Sequence, residues 1–144
     1  MNLINPHESD KALKNEIGVV SNCGEAVKKF VHFFENNKVK KNGEREQDLL
    51  LFQYGTYDWL DGKGKAFGFN LTRQFEIPGE DEFLQLSLTL FYNPEDFAEV
   101  EACQSWSIDF EQVNEWVKGI EQTAGYKKAI NLKPTRIEIN LERT

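Results

Sequence analysis

Few side chains in this chain are suited to chemistry near neutral pH. There are two histidines, His7 and His32. His7 lies in a polar N-terminal stretch. His32 stands beside Phe33, off the apolar stripe of the helix expected there. Neither has a second His or Cys at ligand spacing, and no HxxxH or HExxH occurs, so the tetrahedral nitrogen and sulfur set that zinc requires is not predicted. Cys23 and Cys103 are far apart and form no CxxC pair; they read as small, buried, free thiols. Gly62-Lys63-Gly64 lacks the following helix whose N-terminus would cradle a phosphate. No Gly-x-Ser-x-Gly elbow occurs, and no cysteine has an evident base nearby. The reading is therefore of a chain with no catalytic residues, no metal and no cofactor: not an enzyme.

The carboxylates carry more information. Glu80, Asp81 and Glu82 are consecutive, as are Glu95 and Asp96. A glycosidase needs two carboxyl groups at fixed separation across a cleft, one with a raised pKa, and neighbours in exposed turns do not meet that need. Between Gln74 and Val117 there is no Lys or Arg, yet this span holds 11 of the 24 acidic residues. The rest of the chain carries 13 acids and all 17 bases, an excess of four positive charges. Such a division would steer a cationic partner, though acids also serve simply to keep a hydrophobic hairpin soluble. Asp58 and Asp61 flank Tyr54, Tyr57 and Trp59, a composition found at interface hot spots and equally in cores. The predicted partner-binding residues are Asp58, Asp61, Glu80, Asp81, Glu82, Glu95, Asp96, Glu99 and Glu101. A net charge of −7 argues against binding a phosphate backbone. Arg73 stands on an apolar strand face, where it must pair with a carboxylate, reach a sheet edge or grip a partner.

These residues must be positioned by elements that the hydropathy pattern outlines. Val27, Phe30, Val31 and Phe34 fall at helical spacing, so residues 24–36 predict a helix capped by Ser21 and Asn22. Strands are expected over 48–57, 65–77 and 83–92, each with period-two alternation or an apolar run, and a fourth over 97–106. Turns at Asp61-Gly62-Lys63-Gly64, Pro78-Gly79 and Asn93-Pro94-Glu95-Asp96 join them too tightly for parallel crossovers. Asp109 and Gln112 have capping-box spacing before a helix with Phe110, Val113, Trp116, Val117 and Ile120 on one face. Ile137, Ile139 and Leu141 alternate with polar residues in a last strand. The fold class predicted is α+β: an antiparallel meander sheet of four to five strands with two main helices packed on one face.

A length of 144 residues suits a single domain, here 1–144, with 1–20 as a weakly patterned and loosely ordered segment. No apolar run is long enough to span a membrane, and the N-terminus lacks a basic region followed by an apolar one. The expectation is a cytoplasmic protein, monomeric or weakly dimeric.

The stretch from Phe52-Gln53-Tyr54-Gly55-Thr56-Tyr57-Asp58-Trp59, through Phe69-Asn70-Leu71-Thr72-Arg73-Gln74-Phe75, to Leu84-Gln85-Leu86-Ser87-Leu88 resembles small bacterial immunity proteins of contact-dependent growth-inhibition systems. Gln104-Ser105-Trp106-Ser107, followed by an amphipathic helix, fits the same pattern, so the resemblance covers about residues 48–142. It implies a protein that acts by binding, holding a cognate toxin domain inactive in the producing cell. Such toxins are often nucleases with basic active sites. Two other readings compete: a non-catalytic adaptor that oligomerises through a sheet edge, and a small enzyme with an unrecognised carboxylate or cysteine site.

Overall fold

The computed structural model describes residues 2–18, 20–39, 48–58, 64–76, 83–100 and 104–143. In chain order its elements are β1 (Asn2–Ile4), a 3-10 turn (Pro6–Glu8), α1 (Ser9–Ile17), α2 (Cys23–Asn36), β2 (Asn37–Val39), β3 (Asp48–Asp58), β4 (Lys65–Glu76), β5 (Phe83–Tyr92), a 3-10 helix (Pro94–Phe97), β6 (Gln104–Asp109), a 3-10 turn (Phe110–Gln112), α3 (Val113–Glu121), α4 (Ala124–Ala129) and β7 (Arg136–Arg143).

Strands β3 to β7 form one antiparallel sheet of five strands in the order β6-β3-β4-β5-β7. The central hairpins are the expected meander. The outer strands are not: β6 returns to pair with β3, and β7 lines up beside β5. Alternation assigns the two faces. Phe52, Leu71, Leu88 and Ile139 lie in one cross-strand row, and Ser107, Leu51, Thr72, Ser87 and Asn140 in the next. The first row faces the helices. Leu13 and Ile17 of α1, Phe30, Phe33 and Phe34 of α2, and Trp116 and Ile120 of α3 fill that side, all at most 1% exposed. This layered arrangement is the α+β class.

Three expectations are corrected. The N-terminal segment contains a helix, α1, bound into the core. Its buried residues are Ser9, Leu13 and Ile17, a stripe one residue wide at four-residue spacing, too narrow to stand out in a polar sequence. Gly18 ends it at φ 55°, a left-handed conformation that costs glycine little, and its N–H reaches the Lys14 carbonyl. Residues 97–106 are not one strand, because Pro94 starts a 3-10 helix that delivers Phe97 to the core, and β6 begins only at Gln104. Asp109 precedes the 3-10 turn without a side-chain cap, so the capping box does not form. A parallel pair, Asn2–Ile4 with Asn37–Val39, is an addition that the sequence did not suggest.

The start of α2 follows its sequence. Asn22 Oδ1 accepts the Glu25 N–H at 2.9 Å, and Glu25 reaches back to the Ser21 hydroxyl at 2.7 Å. Hydrogen bonds from the Ser21 hydroxyl and from Lys29 hold the Glu25 carboxyl below its usual range. Lys29 also donates to the Ile17 carbonyl at 2.9 Å, tying α2 to the end of α1.

Arg73 finds its carboxylate inside the protein. Its Nε and Nη2 donate to Asp48 Oδ1 and Oδ2 at 2.7 and 2.6 Å, and both side chains are buried. The rings of Phe110 and Phe34 lie 3.9 and 4.4 Å from the guanidinium carbon. A planar cation held by a two-pronged bond between aromatic faces is the arrangement that makes burying Arg tolerable. No described helix is long and apolar enough to cross a membrane.

Candidate functional site

The predicted acidic residues that the structure describes with side chains are Glu95, Asp96 and Glu99, and all three are exposed. What holds them is Phe97, which is 3% exposed. Its ring stacks on Phe67 and packs against Phe69 and Tyr92, with centroids 4.3, 5.7 and 5.2 Å away. Asn93 begins the turn, its Oδ1 accepting the Glu95 N–H at 3.4 Å and its carbonyl the Asp96 N–H at 3.1 Å. Val100 N–H closes on the Phe97 carbonyl at 3.0 Å. Pro94 fixes one backbone angle of the first position. Three carboxylates are thus presented from a turn pinned by one aromatic plug, which lowers the ordering cost of a contact made through them.

Asp58 ends β3 at this same end of the sheet, but Lys65 stands directly across from it on β4. Asp61, Glu80, Asp81, Glu82 and Glu101 lie outside the described residues. Strand β3 ends, β4 begins and β5 ends on one side, since Asp58 pairs with Lys65 and Phe67 with Tyr92. Glu76 and Phe83 pair at the other end. Strands of this length separate the two ends by about 30 Å. Glu95, Asp96 and Glu99 are the members of the set whose described side chains share one turn.

Alternation reveals further acids that the sequence reading did not select. On the sheet face away from the helices stand Glu76, Asp109, Glu138 and Glu142, with Arg136 as the cation of the described strands on that face, and Arg136 forms an ion pair with Glu138. Strand parity alone puts Glu76, Glu138 and Glu142 on this face; Asp109 has helix-capping spacing in the sequence but ends β6 here. Between them runs a neutral polar field. Asn70 Nδ2 donates to Thr89 Oγ1 at 2.9 Å, Thr72 Oγ1 to Asn70 Oδ1 at 2.6 Å, and Gln85 Nε2 to Gln74 Oε1 at 3.0 Å. A concavity of about 490 Å³ opens there beside Leu51, Gln53, Asn70, Thr72, Gln85 and Ser107.

The buried titratable groups lie on the opposite side. Cys23, at the start of α2, is free and buried, and burial pushes its thiol up to about 12. It is protonated at neutral pH and a poor nucleophile. Tyr92 is raised by burial and by its neighbour Cys23, and Tyr126 by burial first, with Cys23 and Glu121 adding to it. Cys103 lies outside the described residues. His32 and His7 are exposed, and His7 Nδ1 lies 2.9 Å from Arg143 Nη2. Among the described residues no three His, Cys, Asp or Glu side chains come together as a metal site would require. The ring of Tyr54, weighed above as an interface residue, is 2% exposed and packs on Phe52, Phe67 and Phe69.

No family model matches the chain, and no curated protein or solved structure is significantly similar to it.

Proposed function

We propose that this chain is a binding protein of the immunity or inhibitor kind, which occupies a cationic surface of a toxin domain and holds it inactive in the cytoplasm of the producing cell. The observation that carries the reading is the anchored turn that presents Glu95, Asp96 and Glu99 together at one end of the sheet. The acidic character of the open face supports it. The resemblance of residues 48–142 to immunity proteins of contact-dependent growth inhibition supplies the class of partner. On a nuclease-type toxin, carboxylates would take the place of substrate phosphates on the basic active surface, and inhibition would need no chemistry from the inhibitor.

The experiment is a pull-down from the producing strain, followed by co-expression of each captured toxin domain with this chain. The reading expects growth to be rescued by the wild-type chain. It expects weaker rescue when Glu95, Asp96 and Glu99 are replaced by Lys. Rescue by no captured domain would count against it.

A further inference from the structure

We propose that β7 is the contact edge of a symmetric homodimer, in which two copies continue one antiparallel sheet across a two-fold axis at Ile139. This inference does not rest on the toxin reading.

Strand β7 is an outer strand of the sheet; β5 is its one neighbour among the described strands. Open edges invite pairing, and proteins usually guard them with proline, bulges, inward-pointing charges or short length. Strand β7 carries charges, with Arg143 at its last position on the core-facing side, but it has no proline, no bulge and no shortening. It runs eight residues in unbroken register with β5, without proline or glycine, against six residues for the other edge, β6. Its core-facing positions are Ile137, Ile139, Leu141 and, at the end, the exposed Arg143; the three aliphatic side chains are only half-buried, whereas their β5 partners Leu90, Leu88 and Leu86 are fully buried. The hydrophobic core therefore thins toward β7, where α1 also packs.

The charges select the occupant. A two-fold axis perpendicular to the sheet keeps open face with open face and core face with core face. Centred on Ile139, it sets Arg136 opposite Glu142 of the second copy, twice, and Glu138 opposite Asn140, twice. Ile137 then meets Leu141 and Ile139 meets Ile139. Centring on Asn140 instead would oppose Glu138 to Glu142, and centring on Glu138 would oppose that residue to itself. Opposite charges directly across an antiparallel pair stabilise it, and like charges destabilise it. The order of residues in Arg136–Arg143 is thus self-complementary in the register centred on Ile139, which pairs seven residues of each strand; centring on Ile137 would also oppose Arg136 to Glu138 but would pair only three. The half-exposed aliphatic row would continue into that of the second copy.

Sedimentation of the purified chain over about 1 μM to 1 mM tests this. A monomer–dimer equilibrium is expected. Arg136→Glu alone and Glu142→Arg alone each place two like-charge pairs in the interface, and each should weaken self-association by about tenfold or more. An equimolar mixture of these two variants should form a heterodimer, because each then supplies what the other lacks. The double variant Arg136→Glu/Glu142→Arg should dimerise like the wild type. In the wild type itself, amide protection of residues 136–143 should rise with concentration. A 16.7 kDa species at every concentration overturns the proposal. So does a dimer indifferent to both reversals, or β7 amides whose protection ignores concentration.

Discussion

The ring of Phe97 lies flat on that of Phe67, with centroids 4.3 Å apart and planes 2° from parallel. This contact crosses from an irregular turn to the central strand, and it connects the acidic turn to the core. Replacing Phe97 by Ala should cost about 3 kcal/mol of stability, as a buried Phe truncation does. Phe97→Leu should cost less, since it keeps most of the volume. Urea denaturation measures both. Equal stability of Phe97→Ala and wild type would show that the turn is not pinned by this ring.

The ion pair of Arg73 and Asp48 makes a different prediction. Asp48→Ala leaves a guanidinium buried between Phe34 and Phe110 and should destabilise by about 3–5 kcal/mol. Replacing both partners, Arg73→Met with Asp48→Leu, removes the charge along with the need for it and should recover most of that loss. A double variant no more stable than Asp48→Ala would mean that the pair is needed for more than mutual neutralisation.

Arg73 also shows how far the sequence could be read. Its position on the apolar face was evident from alternation with Phe69, Leu71 and Phe75, but its partner was not. Asp48 is distant in sequence and opens a strand that reads as an unbroken apolar run. The three central strands and α2 were legible because period-two and helical spacing persist over many residues there. Helix α1 was not, because only Leu13 and Ile17 mark its apolar side. The pairing of β6 with β3 depends on which edge is free after the hairpins close, and no local pattern encodes that. The acidic residues were legible as a composition. That Glu95, Asp96 and Glu99 share one turn anchored by Phe97 emerged only with the 3-10 helix.

Close packing at Gly125 gives a further check. A Cβ there would sit 2.8 Å from the Tyr54 ring and 3.1 Å from that of Phe69, both fixed in the core. Gly125→Ala should therefore destabilise by about 1–3 kcal/mol despite the better helix propensity of Ala. A thermal melt at or above the wild-type midpoint would contradict the tight approach of α4 to the sheet.

Alkaline pH should unfold the protein. Cys23, Tyr92 and Tyr126 are all raised in the folded state, chiefly by burial. The unfolded chain loses these protons first, so their contribution is intact below the ordinary Cys value of 9.0. It falls as pH climbs from there toward about 12, the folded value of Cys23. Denaturation midpoints between pH 8 and pH 11 should decline across that window, and Cys23 should resist a thiol reagent at pH 8 until denaturant is added. Rapid labelling of Cys23 in the native protein would refute its burial.

The central claim is that Glu95, Asp96 and Glu99 dock on a cationic protein surface. Its most direct measurement is calorimetric titration of the captured toxin domain with the wild-type chain and with the Glu95→Lys/Asp96→Lys/Glu99→Lys variant, at about 0.05 and 0.5 M salt. The account predicts a one-to-one complex that salt weakens, and a loss of about a hundredfold or more in affinity for the variant at low salt, with its fold intact by circular dichroism. Undiminished affinity of the variant at both salt concentrations would contradict it.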